Sequence, residues 1–413
     1  MLERPPRGTK DLLPDYHEIF HHVQSAAFDI ARLHGFKRVD TPIFEHTELF
    51  ARALGGSSDV VSKEMYSFED KSGNSLTLRP EYTASIVRML NNAGLWNDLP
   101  LRFFASGPVF RYDRPQRGRH RQFHQINCEV LGLSEPYADA EIVALAAAFL
   151  RKIGLLDRLR LEINSLGDQK TRQNYRQALL DYLRPYYDDL SANSRARFSK
   201  NPLRILDSKD EKDRQILSNV PKIGDFYTSQ AQAFFEQVRT LLQDLGIQYK
   251  INPHLVRGLD YYVHTAFEFI SDDLGAQSTV LGGGRYDCSF ICNRALDAVG
   301  FAAGIERIIE LIEYHPKSYA FLALVPIGSQ AEKHAFSLAY ELRNLGFTVS
   351  LDYNGSLSKR MKRVDKHGAK AALIFGEDEI SNNTYTLKLL QSGYQESVEN
   401  EGLIMKLREI FNE

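Results

Sequence analysis

The segment FRYDRPQRGRHRQFHQINCEVLG, residues 110–132, concentrates positive charge in a chain of 413 residues whose formal net charge is only -2. Five arginines fall within eleven positions of this segment: Arg111, Arg114, Arg117, Arg119 and Arg121. A guanidinium group is always charged and can bind a phosphate or carboxylate through two parallel hydrogen bonds. The cluster therefore indicates a polyphosphate or nucleic-acid site, and a solvated basic hairpin is the alternative.

The same segment predicts two antiparallel strands joined by a turn. Arg111 lies at the end of the first strand, Gly118 lies in the turn, and the second strand resumes at Arg121. Since residues two apart share one face of a strand, we expect a single row of side chains. That row consists of Arg121, Phe123, Gln125, Asn127 and Glu129. It suits a ligand with a phosphate at one end, a flat base, and an ammonium or N–H group at the other.

Neighbouring segments extend this hairpin into one antiparallel sheet. Period-two or glycine-rich strand patterns occur at residues 75–80, 101–112, 249–270, 276–287 and 297–304. Residues 15–36 have the spacing of an amphipathic helix, which Gly35 ends. Residues 166–247 are helical by period and interrupt the sheet pattern. We therefore predict an α+β domain over residues 1–320 with a helical insertion at 166–247.

The last ninety or so residues have a different pattern. Strand-like and helix-like segments alternate there at the spacing of βαβ units. We predict a separate α/β domain over residues 321–413. Its segment SKRMKRVDKHGAK, residues 358–370, carries six basic side chains and one acidic one, which favours a phosphate-contacting patch over a merely solvated helix face.

Composition excludes several classes of protein. Hydrophobic residues make up 43% and charged residues 25% of the chain, as in ordinary globular proteins. No apolar run is long enough to cross a bilayer, and the first residues lack the apolar core of a signal peptide, so we expect a cytoplasmic protein without a membrane partner. Cys128, Cys288 and Cys292 form no CxxC pair, and we expect buried thiols and no structural metal.

Three further clusters carry polar groups suited to ligand binding. Glu81 and Thr83 can both face a pocket and accept hydrogen bonds from an ammonium group, although a helix start capped by the threonine is the alternative. Arg257 precedes the pair Tyr261 and Tyr262, which could equally be core tyrosines with satisfied hydroxyls. Arg307 follows the small residues of GFAAGIERI. The segment LGGGRYD is too short for a P-loop and lacks its GK[ST] ending.

Taken in order, these segments resemble the histidyl-tRNA synthetases, a family of class II aminoacyl-tRNA synthetases. The resemblance runs from RGTKDLLP through TPIFEHTELFARALGGSSDVVSKEMYSFED, the arginine-rich hairpin, LVRGLDYY, GGGRYD and GFAAGIERI, and it covers essentially the whole chain. It implies a class II catalytic domain built on an antiparallel sheet, and a C-terminal α/β domain that binds the anticodon. It also implies a homodimer with Pro42 at its interface.

The resemblance implies a histidine–tRNA ligase that uses L-histidine, ATP with Mg²⁺, and tRNA(His). Arg257 and Arg111 would be catalytic. The residues implied in binding histidine are Glu81, Tyr82, Thr83, Arg111, Gln125, Glu129, Arg257, Tyr261 and Tyr262. Those implied in binding ATP are Arg111, Arg119, Phe123 and Arg307. Candidates for contact with the acceptor end of tRNA are Arg114, Gln116 and Arg121.

One position departs from the family, and other functions compete with the ligase. Many members have glycine where this chain has Tyr82, so the pocket entrance is expected to differ in shape. The main alternative is a histidine-sensing regulatory subunit of ATP phosphoribosyltransferase, which resembles the catalytic domain but usually lacks the C-terminal domain and has eroded motifs. A class II synthetase for another amino acid and an RNA-binding protein without catalysis are the others.

Overall fold

A computed structural model describes residues 4–55, 60–257, 261–275, 278–292, 294–314 and 320–411. The side chains of residues 62 and 290 are outside this description, as are Gly258, Leu259 and Asp260 of the LVRGLDYY segment. The chain divides into two compact units, residues 1–314 and 315–413. The boundary predicted at 320/321 adjoins residues 315–319, which are also outside the described ranges.

Eleven strands lie in the described part of the first unit. They are β1 (Lys37–Arg38), β2 (Phe44–His46), β3 (Tyr66–Glu69), β4 (Ser75–Leu78), β5 (Leu101–Phe110), β6 (Gln122–Leu131), β7 (Arg160–Ser165), β8 (Lys250–Ile251), β9 (Tyr262–Ile270), β10 (Thr279–Asp287) and β11 (Asp297–Gly304).

The helices of this unit flank the strands. They are α1 (Pro14–Leu33), α2 (Thr47–Leu54), α3 (Thr83–Asn92), α4 (Pro136–Lys152), α5 (Gln169–Leu183), α6 (Ala192–Phe198), α7 (Glu211–Leu217), α8 (Ser229–Asp244), α9 (Ser289–Cys292) and α10 (Ile305–Ile309).

Eight strands form the main sheet, in the order β1-β5-β6-β11-β10-β9-β7-β8. The pairs between β5 and β7 are all antiparallel, and only the short edge strands β1 and β8 pair in parallel. The predicted antiparallel sheet is therefore confirmed. A smaller sheet of order β2-β4-β3 lies beside it.

The two faces of the main sheet differ sharply. On one face Ile126, Cys128 and Val130 of β6 pack into a core with the helices α1, α4 and α8. Each large apolar side chain buried there contributes about 1.5–3 kcal/mol to stability. The other face of the same strand carries the alternate residues Gln125, Asn127 and Glu129, all buried. The second face is packed as well, because a second apolar core there contains Phe103 and Ala105 of β5 and residues of helices α2, α3 and α5. The three polar side chains of β6 are therefore buried beside an apolar core.

Arg285 and Asp139 form an ion pair inside the first core. Their side chains are 1% and 0% exposed. The Arg285 guanidinium also donates to the backbone oxygens of Leu133 at 2.8 Å and Glu135 at 3.1 Å. The pair ties strand β10 to the start of α4, and loss of one partner would leave the other charge buried and unpaired.

The helical insertion lies between β7 and β8. Helices α5 to α8 follow one another there with no strand between them in the described residues. The last helix, α8, contributes Phe235, Val238 and Leu242 to the core that it shares with α4. The end of the predicted insertion is therefore part of the main domain's packing.

The second unit is an α/β domain. Its strands are β12 (Leu322–Pro326), β13 (Val349–Leu351), β14 (Ala371–Phe375), β15 (Thr384–Leu389) and β16 (Gln395–Glu399). Its helices are α11 (Ser329–Asn344), α12 (Leu357–Lys366), α13 (Glu377–Ser381) and α14 (Asn400–Phe411). The sheet order is β13-β12-β14-β15-β16, with β12 parallel to both neighbours and β15 and β16 antiparallel. The βαβ pattern predicted the parallel part.

None of the helices in the described ranges combines the length and apolar character needed to cross a membrane. Cys128 and Cys288 are buried, whereas Cys292 is half-buried.

Candidate active site

Glu129 lies in a buried group of polar side chains, called here the Glu129 pocket, on the face of the sheet opposite the α1–α4–α8 core. Its carboxylate accepts hydrogen bonds from the Thr83 hydroxyl at 2.7 Å and from the Tyr286 hydroxyl at 2.7 Å. Burial raises the pKa of Glu129 from 4.5 to about 8, although both hydrogen bonds oppose the rise. A buried carboxylate that still has lone pairs available is suited to accept an N–H group of a ligand.

Glu81 lies just before helix α3, which begins at Thr83. Its two carboxylate oxygens accept from the backbone N–H groups of Thr83 and Ala84, each at 2.8 Å. Burial raises the pKa of Glu81. Glu81 therefore caps the first turn of α3, a role that was offered to Thr83 as an alternative on sequence grounds. The Thr83 hydroxyl donates to Glu129 instead.

Three buried tyrosines surround the Glu129 carboxylate. The Tyr261 ring lies 4.8 Å from the Tyr262 ring and 5.3 Å from the Tyr286 ring, measured between centroids. Burial is the main reason that the pKa of each hydroxyl is raised. The hydroxyls thus stay protonated and can donate hydrogen bonds, and all three side chains are buried. Tyr286 was not predicted from the sequence to be part of the site.

Arg257 connects this pocket to a second region of the sheet face. Its guanidinium is paired with Glu268 and lies 5.4 Å from the centre of the Tyr262 ring. Burial alone would lower the pKa of Arg257, but Tyr262 and Glu268 outweigh it and the net pKa is raised. This side chain is therefore a permanent positive charge beside the tyrosines.

An arginine cluster lines the second region, a cavity of about 350 Å³. Arg111, Arg119 and Arg307 all line it, together with Phe123 and Gln125. Burial first, then repulsion from Arg119 and Arg111, lowers the pKa of Arg307 to about 10. Burial likewise lowers the pKa of Arg111. Mutual repulsion of this kind is relieved by a bound polyanion, so the cavity is suited to phosphate groups.

The aromatic and amide groups predicted for the row on β6 are present in this cavity. Phe123 is half-buried, and the Arg111 guanidinium carbon lies 5.6 Å from the centre of its ring. The Gln125 Oε1 atom is buried and has no hydrogen-bond partner among the described residues. Arg121 lies just before β6, rather than in it, and is stacked on Tyr112 at 3.8 Å.

Tyr82 is turned away from the Glu129 carboxylate. It is fully buried, and its hydroxyl accepts a hydrogen bond of 2.6 Å from the Arg79 guanidinium. Gly107 makes room for that hydroxyl, since a Cβ atom at position 107 would overlap it. Arg79 also donates to the backbone oxygens of Thr41 and Pro108, at 2.7 and 2.9 Å. The geometry thus gives Tyr82 a role in positioning Arg79.

The residues expected at the acceptor end of tRNA lie on the outer part of the hairpin. Gln116 and Arg119 form an isolated bridge around the turn at Gly118, which has a φ of +65°. The side chains of Arg114 and Gln116 are exposed. The hairpin therefore presents these two residues to solvent next to the arginine cluster.

The helical insertion also contributes to the cavity, which the sequence did not indicate. Arg204 and Asp207, which precede α7, line the cavity beside Arg257. A second polar cavity, of about 440 Å³, shares Asp207, Glu268 and Thr279 with it. Glu268 could have been predicted as a site residue, because it alternates with the buried Phe267 and Phe269 along strand β9. The contacts of the insertion could not, because they depend on tertiary folding.

Comparison with known proteins gives the family. A model of the histidyl-tRNA synthetase family matches residues 8–308, which contain the whole of this site. The chain belongs to the histidyl-tRNA synthetase family. A model of the anticodon binding domain matches residues 322–410 in the second unit.

Individual relatives agree with this assignment. The chain is 51% identical over 406 residues to the histidine–tRNA ligase of Wolbachia pipientis wMel, covering 98% of this chain and 99% of that protein. It is 47% identical to the histidine–tRNA ligase of Gluconobacter oxydans, with 96% of each chain covered. The solved structure of apo S. aureus histidyl-tRNA synthetase has 33% identity and a TM-score of 0.82, covering 98% of this chain and 99% of that one.

The fold alone is shared more widely. A solved structure from Bacillus halodurans, described as an ATP phosphoribosyltransferase regulatory subunit/histidyl-tRNA synthetase, is 22% identical, with a TM-score of 0.67. It covers 91% of this chain and 99% of its own. At that identity only the fold is informative, so the site residues and the relatives named as ligases decide between the two functions, and they do not favour the regulatory subunit.

Gly300→Ala tests whether the sheet must leave room for Glu129. A Cβ atom at position 300 would overlap the Glu129 Oε2 atom and come within 2.6 Å of the Cys128 backbone oxygen. We expect the KM for histidine to rise by about 100-fold, as for the loss of roughly 2–3 kcal/mol of binding at a displaced charged group, with little change in the KM for ATP. Steady-state pyrophosphate exchange measures both constants.

The matched control is Gly402→Ala, whose Cβ atom would meet nothing within 4 Å. Equal KM values for Gly300→Ala and the unmodified protein would contradict the crowding argument.

Glu129→Gln tests the raised pKa of the buried carboxylate. Between pH 4.5 and about 8 the folded protein holds a proton that the unfolded chain has lost, so the Glu129 contribution to stability falls as pH rises. Because glutamine does not titrate, the Glu129→Gln variant does not lose stability in this way as pH rises. We expect the melting temperature of the variant, relative to the unmodified protein without ligands, to rise between pH 5 and 9, measured by calorimetry. A difference independent of pH would show that Glu129 titrates normally.

Proposed function

We propose that this site joins L-histidine to ATP as histidyl-adenylate, releases pyrophosphate, and transfers the histidyl group to the 3′ end of tRNA(His). Family membership makes the chain an ATP-dependent aminoacyl-tRNA ligase. One observation carries the assignment of roles. The Glu129 pocket and the arginine cluster lie on one face of one sheet, with Arg257 between them.

The pocket end would bind histidine. Glu129 and Tyr262 would contact the imidazole nitrogens, with Tyr261 lining the pocket, and Glu81, Thr83 and Gln125 would bind the α-ammonium group. The buried positions of these groups support this assignment. A pocket of this kind discriminates by about 10⁴-fold or more against analogues without the ring N–H, because its buried polar groups would be left unpaired.

The cavity end would bind ATP. Phe123 would stack on adenine, Arg111 would hold the α-phosphate, and Arg119 and Arg307 would contact the remaining phosphates or the adenine plane. Mg²⁺ would arrive as part of the nucleotide substrate, held mainly by phosphate oxygens. Carboxylates near that position, such as Glu268, are compatible with it, and no group of three or more metal-binding side chains occurs among the described residues.

The reaction requires positioning and charge neutralisation more than side-chain chemistry. The histidine carboxylate would attack the α-phosphorus in line while pyrophosphate leaves. Arg257 and Arg111 would stabilise the negative charge that develops on the phosphoryl oxygens, in a buried setting where such interactions are strong. The terminal ribose hydroxyl of tRNA would then attack the adenylate carbonyl, forming the ester while the acyl–phosphate bond breaks, AMP leaves and the hydroxyl proton is released.

We propose that the tRNA contacts extend over both units. Arg114 and Gln116 are exposed and suited to the acceptor end, whereas Arg121 is held against Tyr112. In the second unit, Arg360 is buried and donates to the Pro326 and Asp352 backbone oxygens, at 2.6 and 3.0 Å. The phosphate-contacting patch of residues 358–370 would therefore rely on its exposed lysines.

Those lysines are Lys359, Lys362, Lys366 and Lys370.

A homodimer is proposed from the exposed apolar side chains near Pro42. Ile43, Phe44 and Phe68 are 43%, 52% and 45% exposed, and the rings of Phe44 and Phe68 lie 6.4 Å apart. Contiguous apolar surface of this kind is typical of an interface. A cytoplasmic location is proposed with it, and recovery of the protein in the soluble fraction, without membrane association, would be the check.

The first experiment is histidine-dependent exchange of labelled pyrophosphate into ATP, followed by charging of tRNA(His). We expect Arg257→Ala to lower kcat for exchange by about 10²–10³-fold, because it removes one stabilising charge from the transition state. Glu129→Ala would mainly raise the KM for histidine. The control is Arg239→Ala, an arginine of α8 that is paired only with groups away from the site.

Histidine binding by the unmodified protein without exchange or charging would instead establish a histidine sensor. Exchange with an amino acid other than histidine would identify a different synthetase.

Ile43→Glu tests the dimer. A charge placed in an apolar interface should shift the protein from dimer to monomer in sedimentation velocity, because desolvation of the carboxylate is costly. Phe336→Glu is the control, since Phe336 is 66% exposed in the second unit. A dimer that persists in Ile43→Glu would place the interface elsewhere.

A further inference from the structure

Asn127 is a buried polar side chain that has no role in the function proposed above. It is 1% exposed, and both of its amide atoms, Nδ2 and Oδ1, are buried without a hydrogen-bond partner among the described residues. Buried side-chain amides in folded proteins nearly always have partners, because an unpaired one is costly. A buried polar side chain that stays unpaired despite this energetic cost is a candidate for contact with a ligand.

The position of Asn127 on β6 points the amide into the histidine pocket. Alternation places it on the same face as Gln125 and Glu129, midway between them. Ile126 and Cys128, on either side, face the apolar core. A histidine that reaches from the Gln125 end to Glu129 must therefore pass over Asn127.

The cross-strand neighbours of Asn127 are small residues. Asn127 pairs with Ala105 of β5 and Ala302 of β11, and Ala302 in turn pairs with Gly282 of β10. These small side chains form a shallow row. At its far end a Cβ atom on Gly282 would come within 2.6 Å of the Arg257 Nη1 atom. The row thus leads from Asn127 to the guanidinium proposed to hold the reacting group.

We propose that Asn127 is a histidine-binding residue whose amide hydrogen-bonds the bound amino acid between its ammonium and imidazole ends. This inference rests on the proposed function. Occupation of the pocket by histidine supplies the partners that the amide lacks within the described residues. Asn127 therefore adds to the affinity and selectivity of the pocket for histidine, and it has no part in binding ATP.

Asn127→Leu tests this, because leucine keeps the volume and removes both polar atoms. We expect the KM for histidine in pyrophosphate exchange to rise about 10-fold, and the KM for ATP to change by less than about twofold. Histidinol, which lacks the carboxylate and cannot be activated, measures binding alone. The upward shift in melting temperature that histidine and histidinol cause should be smaller in the variant at each ligand concentration, because ligand stabilisation rises with the logarithm of ligand concentration over its Kd.

The melting temperature without ligand separates this role from a structural one. We expect it to stay the same or to rise in Asn127→Leu, since an unpaired polar group has been removed. The matched control is Asn164→Leu. Asn164 is also buried, on β7, but its Nδ2 atom donates to the Leu255 backbone oxygen at 2.9 Å, so this variant should melt at a lower temperature.

Three outcomes would overturn the inference. These are a melting temperature of Asn127→Leu lowered as in Asn164→Leu, an unchanged KM for histidine, or an equal rise in both KM values. If the unmodified protein itself shows neither exchange nor a melting shift with histidine, the proposed function falls as well. If the unmodified protein responds and the variant responds equally, only the role of Asn127 falls.

Discussion

The site depends on small residues at the centre of the main sheet. Gly282 and Gly300, on two adjacent strands, leave the room in which the Arg257 guanidinium and the Glu129 carboxylate lie directly on the sheet. A Cβ atom at Gly282 would overlap the Arg257 guanidinium, and one at Gly300 would overlap the Glu129 carboxylate. The opposite face is closed by three helices and fixed by the buried pair of Arg285 and Asp139, so the strands cannot shift to accommodate larger groups.

This geometry separates two electrostatic environments within one surface. Around Glu129, burial raises the pKa of the carboxyl group to about 8, which favours its neutral, hydrogen-bonding form beside three buried tyrosines. Around Arg307, burial and repulsion from Arg119 and Arg111 lower the pKa of the guanidinium to about 10, although Asp113 and Glu268 oppose the shift. In the proposed function, the amino acid and the nucleotide bind at different ends of the same face, and Arg257 lies where their reacting groups would meet.

Chain connectivity places additional elements over this face. The insertion leaves the sheet after β7 and brings Arg204 and Asp207 to the cavity before α8 returns to the main core. Tyr82, which was expected to alter the pocket entrance, is accommodated by the absence of a side chain at Gly107 and by its hydrogen bond from Arg79. The large Tyr82 side chain therefore packs beside the pocket and does not obstruct it.

The sequence by itself determined the strands that carry chemistry, because alternation and the arginine-rich turn are local properties of residues 110–132. It also determined the family motifs and the division into two units. It did not indicate helix α4, which is apolar on nearly every side and so has no periodic stripe, nor β16 and α14 at the end of the chain. Only tertiary structure decided that Tyr286 donates to Glu129, that Glu81 rather than Thr83 satisfies the start of α3, and that Asn127 lies unpaired between its neighbours. The Glu81 contact is local, but the Thr83 hydroxyl is directed to Glu129 by a tertiary contact. The other two facts depend on which strands pair and in what register, and sequence separation of more than a hundred residues, as between Glu129 and Tyr286, leaves no local pattern from which to predict them.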